Sequence, residues 1–202
     1  MKEKGLYFLD LFGGKGSVSK ALHRLGFSTF LWDTAYGNEY DLMDRRNQRF
    51  ILQQLRSGKV VGVMLHTLCT SWSHARHRTN VIRTALHPWG NPTPPKPLLA
   101  NDARSLLVGN NTMRFPCRSS DSAAVWKSLR GFENPATSIC FSTPEWRAIL
   151  RQPHVHECVF DQCSFGTPWR KRTKCVFGHI DSVELAAFEN RICGGRSCCV
   201  FW

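Results

Sequence analysis

Four short segments hold side chains whose types and spacing can do chemistry. Phe12-Gly13-Gly14-Lys15-Gly16 follows a run of apolar residues and precedes a segment with apolar positions at Val18, Ala21, Leu22 and Leu25. Glycines at such a turn let backbone approach a ligand, and the start of a following helix offers free N–H donors. Asp33 closes the next apolar run, where a carboxylate can accept both hydroxyls of a ribose. This pattern suits a dinucleotide or S-adenosylmethionine (SAM) equally well, and a tight turn without a ligand is the plain alternative. Cys69, in Leu68-Cys69-Thr70-Ser71-Trp72-Ser73, directly follows the apolar run Val60–Leu65. A thiol at that position lies near the start of the next helical turn, where its thiolate would be stabilised and exposed to substrate. In a chain with 9 cysteines, simple packing is the competing account. Glu133 stands in Phe132-Glu133-Asn134-Pro135, and Arg170-Lys171-Arg172 is a basic run suited to phosphate contacts or to a solvated face.

These residues need a scaffold, and the hydrophobic pattern describes one. Residues 5–12 read as a buried strand, Ser17 to Leu25 as a helix capped by Ser17 and stopped by Gly26, and Phe27 to Trp32 as a second strand. A polar helix over Arg46–Ser57 and the strand Val60–Leu65 follow. Strand, helix, strand, helix, strand predicts a mostly parallel sheet with helices on both faces, a Rossmann-like α/β fold. His87 to Leu98 contains five prolines and reads as a long loop, either functional or disordered. Helices are expected over Asn101–Leu107, Ser122–Leu129 and Pro144–Leu150. Strands are expected at Arg130–Asn134, His154–Gln162 and Lys174–Ile180, the last two flanking the basic stretch from Trp169 to Lys174.

Bulk composition narrows the partner. Lys and Arg number 27 against 15 Asp and Glu, a net charge of +12, which favours a polyanion because phosphate contacts release counterions. No apolar run approaches the roughly 20 residues of a membrane span, and Asp10 interrupts the early hydrophobic patch, so neither a membrane partner nor a secretory signal is expected. An intracellular setting, nuclear or virus-associated among the options, leaves the cysteines reduced. Cys193 and Cys198, with Cys199 beside them, have C-x₄-C ligand spacing, but with no His beyond them a bound metal is not expected. The expected organisation is a catalytic domain over residues 1–185 and a Cys-rich tail over 186–202, truncated if those cysteines are half of a zinc site.

In order and spacing, the segments over residues 5–180 resemble the cytosine-C5 DNA methyltransferase family. Phe12, Gly14 and Gly16 match its Phe-x-Gly-x-Gly SAM loop, and Leu68-Cys69 corresponds to its Pro-Cys nucleophile motif. Glu133-Asn134-Pro135 corresponds to its Glu-Asn-Val, and Arg170 and Arg172 to its Arg-x-Arg before a hydrophobic strand. Asp41 or Asp44, of which we favour Asp44, resembles the acid that meets the adenine ring. The chain departs from the pattern at His66, where a small residue is expected, at Leu68 for proline, at Pro135 for valine and at Pro168 for glutamine; no target-recognition domain is evident. The variant motifs look most like divergent copies carried by mobile elements or viruses.

The resemblance implies a SAM-dependent methyl transfer to C5 of cytosine, in DNA rather than RNA. Cys69 would add to C6 and so activate C5. Glu133, protonated or sharing a proton, would bond N3, while Arg170 or Arg172 would steady the adduct and orient Glu133. SAM would be held by Phe12, Gly14, Gly16, Asp33 and Asp44, and the target base would leave the stack. The proline-rich loop would close over it. A catalytically degenerate nucleic-acid-binding module is the main alternative. Amino methylation fits less well, because the one Pro-Pro pair, Pro94-Pro95, is followed by Lys96. A nicotinamide oxidoreductase leaves Cys69 and Glu133 unexplained.

Overall fold

The structure is a computed structural model that describes residues 5–74, 80–115, 129–178, 180, 185–188, 191–194 and 200–201. Its centre is a six-stranded sheet of β1 (Tyr7–Leu11), β2 (Thr29–Trp32), β3 (Val60–Leu65), β4 (Leu129–Pro135), β5 (Val155–Asp161) and β7 (Arg172–Gly178), in the order β2-β1-β3-β4-β7-β5. The first four strands in that order run parallel, and β7 runs antiparallel to both β4 and β5. A two-residue β6 (Trp169–Arg170) pairs separately with β8 (Val200–Phe201). The helices are α1 (Ser17–Arg24), α2 (Arg45–Arg56), α3 (Ala100–Arg114) and α4 (Pro144–Leu150).

Side-chain parity sorts these helices between the two faces. Tyr7, Leu9 and Leu11 of β1 and Val63 and Leu65 of β3 join Ile51 and Leu55 of α2, Met113 of α3 and Trp146 of α4 in the main core. Asp10, on the opposite face of β1, accepts hydrogen bonds from the Ser19 backbone (3.0 Å) and hydroxyl (2.8 Å) of α1. The chain therefore leaves β1 over one face to reach β2 and returns over the other to β3, as right-handed crossovers demand. The fold is Rossmann-like, and its strand order reverses between β1 and β3. Crevices outside the carboxyl ends of the strands at such a reversal are where this architecture binds ligands.

Most expected elements occur where the pattern placed them, and several details differ. Gly16, at φ 66°, caps α1 in the left-handed region without a side-chain bond, so Ser17 is the first helical residue and not the cap. Helix α3 runs well past Leu107 to Arg114, although Gly109, Asn110, Asn111 and Thr112 are poor helix formers. Packing overrides propensity there: Gly109 and Thr112 lie against the core, and the Trp72 indole donates to the Gly109 carbonyl (3.3 Å). The basic stretch takes part in strands: Trp169–Arg170 forms β6, and Arg172 opens β7, two residues before the expected start at Lys174. Leu129 opens β4; the rest of the helix expected at 122–129 lies outside the described residues, as do Cys198 and Cys199. Residues 87–98 contain neither helix nor strand. No helix among the described residues is long and apolar enough to cross a membrane.

Candidate functional site

The glycine loop and the cysteine loop leave the adjacent carboxyl ends of β1 and β3. Phe12 is the one non-glycine among the described residues with positive φ, 56°. That conformation costs an L-residue about 1–2 kcal/mol, and here the Phe12 N–H donates to the Trp32 carbonyl (2.8 Å). Gly14 follows at φ 52°, and a Cβ there would meet open space, so backbone is presented without a side chain in front of it. Gly13 packs the other way. A Cβ on it would come 2.6 Å from Asp10 Oδ1 and 2.5 Å from Leu31. Gly13→Ala should therefore destabilise the fold by about 1–3 kcal/mol, read as a lower urea midpoint; an unchanged midpoint would mean that the loop has room to yield.

Asp33 ties the glycine loop to the end of β2. Its Oδ2 accepts from the Gly14 N–H (2.9 Å) and its Oδ1 from the Ala35 N–H (2.8 Å). A carboxylate has about four acceptor positions, so two remain for a diol. Asp44 caps α2 through the Arg46 N–H (2.8 Å) and pairs with the Arg46 guanidinium (2.7 Å), which leaves it ionised. Asp41 accepts from the Met43 N–H (2.8 Å). The donor set suits SAM: bare backbone at Gly14, a half-buried carboxylate at Asp33 and a strained turn that holds both.

Cys69 begins a single turn in which its carbonyl accepts from the N–H groups of Trp72 (3.0 Å) and Ser73 (2.8 Å). The turn is held from behind. Asn134, wholly buried, donates through Nδ2 to the Thr67 carbonyl (3.1 Å) and hydroxyl (3.2 Å). Trp72 is also wholly buried, and the Arg83 guanidinium lies 3.6 Å from its ring centroid. Arg83 donates to the Ser71 hydroxyl (3.0 Å), the Pro88 carbonyl (2.6 Å), Asn110 Oδ1 (2.7 Å) and the Leu106 carbonyl (3.2 Å). Burial pulls its pKa down to about 9, and it remains a cation at neutral pH. One arginine thus clamps the cysteine turn to the proline-rich segment and to α3. A cavity of about 160 Å³, lined in part by Leu68, Thr70, Arg104 and Val108, opens beside the turn. A larger one of about 610 Å³ lies at the far, amino-terminal ends of β1 and β2, away from these loops.

Glu133 belongs to a row of alternating charges. Its Oε1 accepts from Lys171 Nζ (2.9 Å), and its Oε2 lies 3.6 Å from His66 Nδ1. His66 Nε2 in turn lies 3.4 Å from Asp10 Oδ1. These two His66 contacts are ion-pair distances, longer than good hydrogen bonds. Burial opposes charge on His66, but the carboxylates of Asp10 and Glu133 outweigh it and raise its pKa to about 9. Burial likewise pushes Glu133 up, and His66 and Lys171 together bring it below the ordinary value. Burial pushes the Cys69 thiol up; Lys171 pulls it partly back, while Glu133 adds to the rise.

Two expectations therefore change. Glu133 is an ionised carboxylate between two cations, not a protonated acid. Arg170 and Arg172 do not orient it: both bind the wholly buried Asp161, Arg170 through Nε (3.3 Å) and Arg172 through Nε and Nη2 (3.1 Å each), while the Cys193 N–H donates to the same carboxylate (2.8 Å). Successive residues of an extended segment face opposite ways, so the residue between the arginines reaches Glu133. His66, Arg83, Asn134 and Lys171 were not singled out as site residues from sequence, although the departure at His66 marked its place. No cluster of three or more metal-ligating side chains occurs among the described residues.

The raised His66 pKa has a consequence for stability. A group whose folded pKa lies near 9, against about 6.5 unfolded, contributes fully below pH 6.5 and loses that contribution as pH rises through 9. The melting temperature should fall between pH 6.5 and 9, and His66→Gln should flatten that slope. A wild-type profile flat over this window would contradict a charged His66.

No family model matches the sequence, and no curated protein matches it. Among solved structures, a methyltransferase of Entamoeba histolytica, EhMeth, aligns at 12% identity with a TM-score of 0.48. The alignment covers 89% of this chain and 54% of that one, so the chain spans about half the length of that structure.

Proposed function

We propose that this chain transfers the methyl group of SAM to C5 of cytosine in DNA through a covalent adduct at Cys69. The observation that carries the reading is the meeting of Cys69, Glu133 and Lys171 beside a glycine loop at the strand-order reversal, close enough for Lys171 and Glu133 to bias the thiol. The net charge of +12 supports a polyanionic substrate.

Cytosine C5 is too weak a nucleophile to be methylated directly. Cys69 loses its thiol proton to water and its sulfur bonds to C6, and the C5=C6 electron pair becomes enamine-like at C5, with negative charge developing toward N3 and O2. Lys171, a cation held by Glu133, donates a hydrogen bond to that charge. Glu133, as a carboxylate, accepts from the 4-amino group and thereby fixes the ring. Gly14 and Asp33 would hold SAM, which when bound would supply an electrophilic methyl group. After transfer, water takes the C5 proton, its electron pair re-forms C5=C6 and Cys69 is expelled as thiolate. Lys171→Met should slow the reaction by about 10²-fold or more, in the range for a lost proton donor. Arg172→Gln should act chiefly on stability through Asp161. Equal activity losses in the two variants would contradict the assignment of Lys171.

The test is product identity. The full chain is incubated with methyl-labelled SAM and cytosine-containing single- and double-stranded DNA, which is then digested to nucleosides. Label in 5-methyldeoxycytidine is expected; label on an exocyclic amine would overturn the reading. If DNA binds and no label transfers, the degenerate binding module takes its place, a reading favoured by Leu68, 45% exposed where the family has proline.

A further inference from the structure

The proposed chemistry uses Cys69, Glu133 and Lys171 but leaves His66 unexplained. His66 extends β3 by one residue, its N–H donating to the Leu11 carbonyl (2.9 Å). Leu65 is in register with Leu11 and with Phe132, so the next residue, His66, falls between the start of the glycine loop and Glu133. One imidazole nitrogen faces Glu133 and the other faces Asp10. Asp10 is 1% exposed; its Oδ2 takes both donors of Ser19, and His66 is the cation at its Oδ1. Gly13 packs directly over that oxygen, where a Cβ would come within 2.6 Å.

We propose that His66 is a positioning residue of the site: by bridging Asp10 and Glu133, it holds the Glu133 carboxylate in place beside Cys69 and fastens it to the strand end that carries the glycine loop. The role in catalysis rests on the methyl-transfer reading; the bridge itself does not. The groups facing the bridge are Asp10 from β1, Glu133 from β4, and, beyond Glu133, Lys171 and the Cys69 thiol. A neutral or missing residue at 66 leaves two carboxylates with only Lys171 to balance them. Glu133 would then take up a proton at higher pH and turn away from the base. Because Asp10 lies under Gly13, the glycine loop would loosen at the same time. The same bridge explains why the chain tolerates a bulky residue where the family has a small one. The imidazole fills the space between two carboxylates that would otherwise be buried with one cation between them.

Two measurements on the full chain test this. The imidazole of His66 is titrated by ¹⁵N NMR in the wild type and in the Asp10→Asn and Glu133→Gln variants. A midpoint near 9 that falls toward the free-histidine value in each variant supports the bridge. A wild-type midpoint near 6.5, or one that neither variant moves, overturns it whether or not the chain is an enzyme. The second measurement is the pH profile of adduct formation with a 5-fluorocytosine oligonucleotide, for wild type, His66→Ala and His66→Gln. We expect the acid step set by Glu133, which lies below the one set by ionisation of Cys69, to move to higher pH in both variants. Gln, whose single amide nitrogen can donate to one of the two carboxylates, should recover part of the roughly tenfold or larger rate loss of Ala at pH 8. Superimposable profiles, with rates falling only as far as the folded fraction does, would make His66 merely structural and overturn the positioning role. A wild type that forms no adduct but shows the coupled titration would reject the methyl-transfer reading, and with it the catalytic role of His66, while leaving the bridge intact.

Discussion

Cys69→Ala should remove methyl transfer almost completely, by about 10³-fold or more, while SAM and DNA still bind. The size follows from the proposed route: without addition at C6, C5 never becomes enamine-like, and what remains is the modest rate from holding the reactants together. The fold should tolerate the change. Cys69 is half-buried at the head of a turn whose bonds come from its own carbonyl, and the turn is clamped through Thr67, Ser71 and Trp72, not through the thiol. Melting temperature and DNA affinity measured beside turnover separate this from unfolding. A variant that is well folded and keeps a tenth or more of the activity would exclude a covalent mechanism at Cys69.

The second large effect belongs to a residue that takes no part in the proposed chemistry. Arg83→Ala should destabilise the protein by about 3–5 kcal/mol, seen as a lower urea midpoint with little change in slope. Arg83 is fully buried, makes hydrogen bonds to four acceptors and stacks on Trp72. Truncation leaves those acceptors unpaired and opens a cavity beside the tryptophan. Lysine should rescue little, because a single ammonium cannot reproduce the planar fork that spans Pro88, Asn110, Ser71 and Leu106. Gly109→Ala probes the same clamp from α3: the new Cβ would come 2.8 Å from Arg83 Nη2 and 3.0 Å from Trp72 Nε1, and closer still to Ser71 Oγ. A loss under about 1 kcal/mol for Arg83→Ala, the usual range for an exposed residue, would mean that the cysteine turn is held elsewhere.

Those two residues also mark how far the sequence could be read. Strands β1 and β3 were legible because each is a short apolar run ended by glycine or by a polar turn, and the helix start after Gly16 was legible from residue spacing. The arrival of Cys69 and Glu133 at one sheet edge followed from the same runs. Arg83 was not legible: arginine is among the residues least often buried, and nothing local says that Pro88, Leu106 and Asn110 will converge on it. Lys171 was hidden for a different reason. In an Arg-Lys-Arg run, which parity faces the site depends on the strand register, and β7 opens at Arg172 with Arg172 turned toward Asp161. The expectation of a protonated Glu133 failed for the same cause, since the two cations that keep it ionised come from residue 66 and from that run.

The central claim is a covalent bond between Cys69 and the target base, and covalent trapping tests it most directly. The wild-type chain and Cys69→Ala are incubated with SAM and oligonucleotides containing 5-fluorocytosine, whose fluorine cannot leave as the C5 proton does, and are resolved on a denaturing gel. The account predicts a SAM-dependent, slower-migrating adduct in the wild type and none in Cys69→Ala. Absence of the adduct from wild type that demonstrably binds both SAM and the oligonucleotide, or an adduct that persists in Cys69→Ala, would contradict it.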